Sequence, residues 1–173
     1  MLITGIVALD QDNGLAKNSR IPWKNEEDMF RFKYLTMNKP VLITRTSWSQ
    51  IKSKRLVGRY LYVTSTSQEG IEATDINEED GTPYLVSSSL NRYSLLRILY
   101  DFNSINPSSS NEVIVAGGPS LYSSLMPLID LFYVGRIPGS YDCDQKLDIT
   151  GFTLVETILD KDSNLEIYAR TRN

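Results

Sequence analysis

Short runs rich in β-branched and aromatic residues alternate with stretches of helical periodicity along most of the chain, and this alternation points to an α/β fold. Strands are predicted at Leu2–Leu9, Pro40–Thr44, Tyr60–Ser65, Pro83–Ser87, Glu112–Ala116, Leu131–Arg136, Phe152–Leu159 and Leu165–Thr171. Helices are predicted at Glu26–Thr36, Ser47–Lys52, Leu90–Phe102 and Pro119–Met126. The third carries Leu95, Leu96, Leu99 and Phe102 on one side, with Arg92 and Arg97 elsewhere. Strands joined by helices imply a mostly parallel eight-stranded sheet flanked by about four helices. No helix separates the last two strands, and Asp160-Lys-Asp-Ser-Asn164 is a turn signal, so a C-terminal antiparallel hairpin is expected. The segments Ser67–Gly81 and Asn103–Asn111 read as polar connections rather than linkers. At 173 residues, 41% of them hydrophobic, residues 1–173 are expected to form a single domain.

Composition narrows the chemistry. The chain has no histidine, which removes Ser-His-Asp and Cys-His catalysis and every histidine-ligated metal site. Cys143 is the only cysteine, so an intrachain disulfide is impossible, a structural zinc is not expected, and a reducing cytoplasm fits. A net charge of −3 argues against nucleic acid as the main partner. No apolar run has the length of a membrane span, and Met1–Leu9 reads as a strand rather than a signal peptide. Any chemistry must come from carboxylates, backbone groups or a bound cofactor.

One carboxylate stands out. Between Ile21 and Phe32, Pro22 ends a loop and Asn25 is placed to cap the following helix. On that helix Asp28, Met29, Phe32 and Leu35 share a face. A carboxylate among apolar neighbours is costly unless it is paired or does chemistry. The plainer reading is a capping box, with Asp28 folded back on Asn25.

Four ordered segments give the chain its resemblance. The first runs from Val7 through Gly14 to Pro22-Trp23, and the second is Asp28-Met-Phe-Arg-Phe32. The third is Asn38-Lys-Pro-Val-Leu-Ile-Thr-Arg45-Thr-Ser47-Trp48, and the fourth is Glu112-Val-Ile-Val-Ala-Gly117-Gly118-Pro-Ser-Leu-Tyr122. With Leu56-Val-Gly58-Arg59 between them and Leu165–Arg170 at the end, the chain resembles dihydrofolate reductase over essentially its whole length.

The resemblance implies reduction of 7,8-dihydrofolate to tetrahydrofolate, with a hydride passing from NADPH to C6 of the pterin and a proton arriving at N5. Asp28 matches the family's catalytic carboxylate, whose two oxygens suit the paired N3–H and 2-amino donors of a pterin. Ile6, Val7, Met29, Phe32, Ile51 and Leu56 are then expected on the substrate, and Arg59 on its glutamate α-carboxylate. Lys33 and Lys54 add diffuse attraction for the same tail, or are simply solvated charges. Expected on the cofactor are Ala8 and Leu15, the Arg45-Thr46-Ser47 turn, Ser65 and Thr66 near the 2′-phosphate, and Gly117, Gly118, Pro119, Ser120, Leu121 and Tyr122. Glycines at a strand-to-helix turn let the backbone approach a pyrophosphate. The loop from Asp10 to Ile21 is implied to close over the nicotinamide. The implied protein is a cytoplasmic monomer that also binds antifolates, with no nucleic-acid or membrane partner.

Two positions depart from the family pattern. Gly135 stands where a threonine hydroxyl usually meets the catalytic carboxylate, and Thr44 stands where glycine usually precedes the arginine of the phosphate turn. Either water replaces the lost hydroxyl, or Asp28 is less well ordered with its pKa moved up and turnover weakened. A β-branched side chain at 44 is expected to crowd the phosphate and weaken NADPH binding. Two rivals stay open: another NADPH-dependent reductase on this fold, such as that of riboflavin synthesis, and a non-catalytic relative. Against the first stands the ordered pattern of Pro22, Trp23 and Asp28, and against the second the joint presence of Trp23, Asp28, Phe32 and Arg59.

Overall fold

The computed structural model describes residues 1–51, 58–65 and 84–172. In chain order the elements are β1 (Leu2–Leu9), β2 (Gly14–Ala16), α1 (Glu26–Thr36), β3 (Pro40–Thr44), α2 (Arg45–Ile51), β4 (Tyr60–Ser65) and β5 (Tyr84–Ser87). There follow α3 (Arg92–Ile105), β6 (Glu112–Val115), α4 (Pro119–Leu125), β7 (Leu131–Arg136), β8 (Gln145–Lys146), β9 (Phe152–Ile158) and β10 (Asn164–Arg170). They fall into two compact units, one of residues 1–3 and 36–128, the other of residues 4–35 and 129–173.

In the first unit the strands lie in the order β5-β4-β3-β6, and every pairing is parallel. Val41, Leu42 and Ile43 are buried, as are Val113, Ile114 and Val115, giving the near-continuous apolar runs of a sheet covered on both faces. On α3 the buried side is Leu95, Ile98, Leu99 and Phe102, while Leu96 is exposed. The expected stripe is therefore wrong at Leu96, because the 3.6-residue repeat brings Ile98 to the core instead. Asn91 and Ser94 form a reciprocal capping box, so α3 begins at Arg92 rather than Leu90.

In the second unit the order is β1-β7-β10-β9. Strand β1 runs parallel to β7, and β7, β10 and β9 are antiparallel, which is the expected closing hairpin. Phe132 meets Phe152 edge to face, and the Arg170 guanidinium lies over the Phe152 ring. The class is the expected one: α/β with eight main strands, mostly parallel, four helices and an antiparallel C-terminal end.

Two short strands go beyond the expected set. Strands β2 and β8 pair antiparallel as a small separate ladder, and three or two residues are too few to show alternation. The predicted strand at Pro83–Ser87 is seen from Tyr84 onward, and Ser67–Gly81 lies outside the described residues. Asn103–Ile105 belongs to α3 rather than to the connection after it.

Candidate active site

Helix α1 starts where Asn25 caps it, its side-chain oxygen accepting the Asp28 backbone N–H at 2.9 Å. The reciprocal half of a capping box is not formed, so the Asp28 side chain is left for other work. Its carboxylate accepts no hydrogen bond among the described residues, and its only charged neighbour among them is Arg31, with Nη2 3.8 Å from Oδ1. The Asp28 side chain is 23% exposed. Burial pushes its pKa upward, and the Arg31 guanidinium opposes that in part.

The apolar face expected around Asp28 is only partly covered, with Leu35 half-buried. Met29 is 46% exposed and Phe30 also faces solvent, while Thr36 is the helix's buried residue. Phe32 is half-buried. An ordinary core role is thus ruled out for Met29, although the shared face inferred from spacing remains a helix property. What Asp28 does rest against is β7. A Cβ built on Gly135 would overlap Asp28 Oδ1, and it would stand 3.0 Å from Cγ and 3.5 Å from Arg31 Nη2. Gly135 pairs in register with Ala8 of β1, beside the buried Ile6 and Val7.

The loop from residue 10 to 21 is tied down at several points rather than left as a free connection. Buried Asp10 accepts the backbone N–H groups of Asp12, Gly14 and Tyr141. Arg136 donates to the Asp10 carbonyl and the Asn13 side chain, each at 2.8 Å, and pairs with Glu166. Leu15 and Ala16 are buried on β2, and Asn18 N–H reaches Asp144 at 2.9 Å. Trp23 packs edge-on against Tyr141.

In the other unit, Thr44 explains why α2 begins at Arg45 and not at Ser47. Its hydroxyl accepts the Ser47 N–H at 3.2 Å, an N-cap bond, and the Gly118 N–H at 3.3 Å. Thr44 also donates to Ser47 Oγ at 3.1 Å, and its own N–H meets the Gly117 carbonyl at 2.8 Å. The Thr44 side chain thus pins the turn. Gly117 has φ +109°, the peptide between Gly117 and Gly118 is cis, and Pro119 opens α4 with Gly118 as its cap. A Cβ at Gly118 would lie 3.0 Å from Ser47 Oγ, so the two glycines and Thr44 form a cradle that a side chain would fill.

Around this cradle Arg45, Thr46 and Ser120 are exposed, Ser47 and Pro119 half-buried, and Leu121 and Tyr122 buried. Ile51 ends α2 half-buried, and Ser65 ends β4. Leu56, Thr66 and Lys54 lie outside the described residues. Arg59 is half-buried, and its Nε and Nη1 groups are buried without a partner among the described residues. Among the described residues no cluster of His, Cys, Asp or Glu suits a metal, and no helix is long and apolar enough to cross a membrane. Sequence reasoning missed Arg31 and Ser163; the one available signal was the i,i+3 spacing of Arg31 from Asp28.

These features define an α/β protein with a half-buried helical carboxylate in one unit and a glycine turn after a parallel strand in the other. Residues 2–168 match the family model for dihydrofolate reductase. The type 3 dihydrofolate reductase of Salmonella typhimurium is 30% identical, over 83% of this chain and 76% of the relative. The dihydrofolate reductase of Mycoplasma genitalium is 23% identical over 98% of both chains. In structure, an Enterococcus faecalis dihydrofolate reductase complexed with NADP(H) and RAB-propyl covers 99% of this chain and is itself covered over 97%, with a TM-score of 0.70 and 19% identity. That last likeness concerns the fold alone. The chain belongs to the dihydrofolate reductase family.

Proposed function

We propose that Asp28 is the catalytic carboxylate of this dihydrofolate reductase, and that the residue roles implied by the family apply at the positions set out above. The enzyme reduces 7,8-dihydrofolate to tetrahydrofolate, and NADPH, when bound, supplies the hydride received at C6. The observation that carries the assignment of Asp28 is a half-buried carboxylate with no hydrogen-bond donor of its own among the described residues. Such a group has acceptor lone pairs not spent on other donors among the described residues. They suit the N3–H and 2-amino donors of a pterin, a forked pair that neutral acceptors match less well. Bound there, Asp28 holds the ring in place and favours its protonated form, and a water is the immediate proton donor to N5. Ile6, Val7, Met29 and Phe32 form apolar walls for the same ring system.

The Gly117-Gly118 cradle, pinned by Thr44, suits the pyrophosphate of NADPH, because the two glycines carry no side chain of their own to keep a phosphate from the backbone. Arg45, Thr46 and Ser47 add charge and hydroxyls, with Ser65 toward the 2′-phosphate. Arg59 offers two buried N–H groups that lack partners among the described residues, which fits the α-carboxylate of the folate glutamate. We further take the protein to be a cytoplasmic monomer that binds antifolates. Its lone thiol, Cys143, suits a reducing compartment.

NADPH oxidation with dihydrofolate, with and without methotrexate, tests the reading for the wild type and Asp28→Asn. Methotrexate-sensitive activity reduced at least about a hundredfold in the variant, with NADPH binding kept, is expected. Unchanged turnover in Asp28→Asn removes its catalytic role. Arg59→Ala is expected to raise KM for dihydrofolate with kcat little changed, and light scattering of the eluted peak reads the oligomeric state.

A further inference from the structure

The hydroxyl expected beside the catalytic carboxylate is absent at Gly135, yet Asp28 is not left facing water alone. Arg31, one turn further along α1, stands 3.8 Å from it with a side chain only 11% exposed. That arginine is clamped from outside the helix. Its Nη2 donates to Ser163 Oγ at 2.5 Å and its Nη1 to the Ser163 carbonyl at 2.8 Å, and it pairs with Asp160 at 3.3 Å. Ser163 is buried and is itself fixed to the start of α1. Its hydroxyl donates to Asn25 at 3.0 Å, and Glu27 accepts the N–H groups of Asp162 and Ser163.

We propose that Arg31 is a positioning residue for Asp28: gripped by the turn between β9 and β10, it holds the carboxylate in the space that Gly135 leaves open. The inference rests on the reading of Asp28 as the catalytic carboxylate. Three observations carry it independently of any titration. The carboxylate occupies the volume that a Cβ at 135 would take, so in this conformation a side chain there would displace it. The guanidinium is fixed by three groups of the hairpin turn, so it is not a mobile surface charge. Among the described residues no other cation pairs with Asp28.

A fixed positive charge favours the ionised carboxylate where burial disfavours it. The charged groups facing Arg31 are Asp28 on its own helix and Asp160 on the turn, with Glu27 next to Asp160. On β7, Arg136 is engaged with Glu166 and with the loop at Asp10 and Asn13. Asp160 is exposed and screened, so the partner that Arg31 acts on away from water is Asp28.

The test compares kcat/KM against pH for the wild type, Arg31→Lys, Arg31→Met, Ser163→Ala, Asp28→Asn and the double variant Asp28→Asn/Arg31→Met, with NADPH binding as the readout of folding. Arg31→Met is expected to move the acid limb of the profile upward by about one pH unit. Arg31→Lys and Ser163→Ala should move it by less, and Arg31→Met should add nothing in the Asp28→Asn background. A wild-type profile in Arg31→Met, with Asp28→Asn inactive, overturns the role of Arg31 and leaves that of Asp28. Equal losses from Arg31→Met in both backgrounds also overturn it, since they mark a structural effect. Full activity in Asp28→Asn removes the acid and this proposal together. If Arg31→Met does not bind NADPH, Arg31→Lys and Ser163→Ala decide by the same shift, and an unmoved profile in both overturns the proposal.

Discussion

Two carboxylates in one unit respond to pH in opposite directions, for reasons visible at single side chains. Burial raises Asp28, with Arg31 opposing it. The folded state therefore takes up its proton more readily than the unfolded chain, and stability falls as pH rises from about 3.9 through the folded value. Asp28→Asn escapes that loss. Its Tm is expected to exceed the wild type's by about 2–4 °C at pH 7, with the gap closing below pH 4, as a thermal melt at the two pH values would read. Asp10 is the reverse case. Burial raises its pKa, but the N–H groups of Gly14, Tyr141 and Asp12 and the Cys143 thiol outweigh burial, so the net shift is downward. Its contribution is complete above the unfolded carboxylate's pKa and is lost as pH falls through the folded value. Asp10→Asn should cost about 2 kcal/mol in urea unfolding at pH 7 and progressively less toward pH 2.

Among the elements, helix ends decide most of what can be tested. Helix α3 is capped reciprocally by Asn91 and Ser94, and it buries Leu95, Ile98, Leu99 and Phe102. Asn91→Ala removes one half of that box and should cost about 1 kcal/mol in the same unfolding experiment, with kcat unchanged, because no site residue lies on α3. At α2 the cap does more. Thr44 serves the helix and the Gly117-Gly118 turn at once, so Thr44→Val deletes three hydrogen bonds while keeping the volume. Helix α1 is organised by its cap and by the distant turn that Asn25, Glu27 and Arg31 all contact.

For the molecule as a whole, cofactor binding is the simplest readout. A ligand at one hundred times its Kd adds about 2.7 kcal/mol of stability, which for a chain of this length is a rise of about 5–10 °C in Tm. The wild type and Asp28→Asn are both expected to show that rise with NADPH, since Asp28 meets the pterin and not the dinucleotide. In Thr44→Val the rise should shrink, and fluorescence titration should show NADPH affinity reduced about tenfold. An undiminished shift would mean that the turn keeps its shape without its pin.

Local interactions are legible in the order of the residues. Strands β1, β3, β4 and β7 and helix α1 begin and end where propensity, Asn25 and the flanking turns place them, because those signals act over a few residues. The carboxylate at 28 and the glycines at 117 and 118 are legible too, since their spacing within ordered segments carries the family likeness. The cap at Thr44 is equally local, but the strand pattern that ends on this β-branched residue masks it, and α2 starts two residues earlier than predicted. Leu96 misleads because apolarity alone does not say which face of a helix the sheet will cover. What tertiary structure alone decides lies across the chain. Ser163 reaches Arg31 over 132 residues, and Gly135 makes room for Asp28 only because β7 runs beneath α1. Such pairings depend on where folded elements meet, and no short-range pattern of side chains encodes that distance.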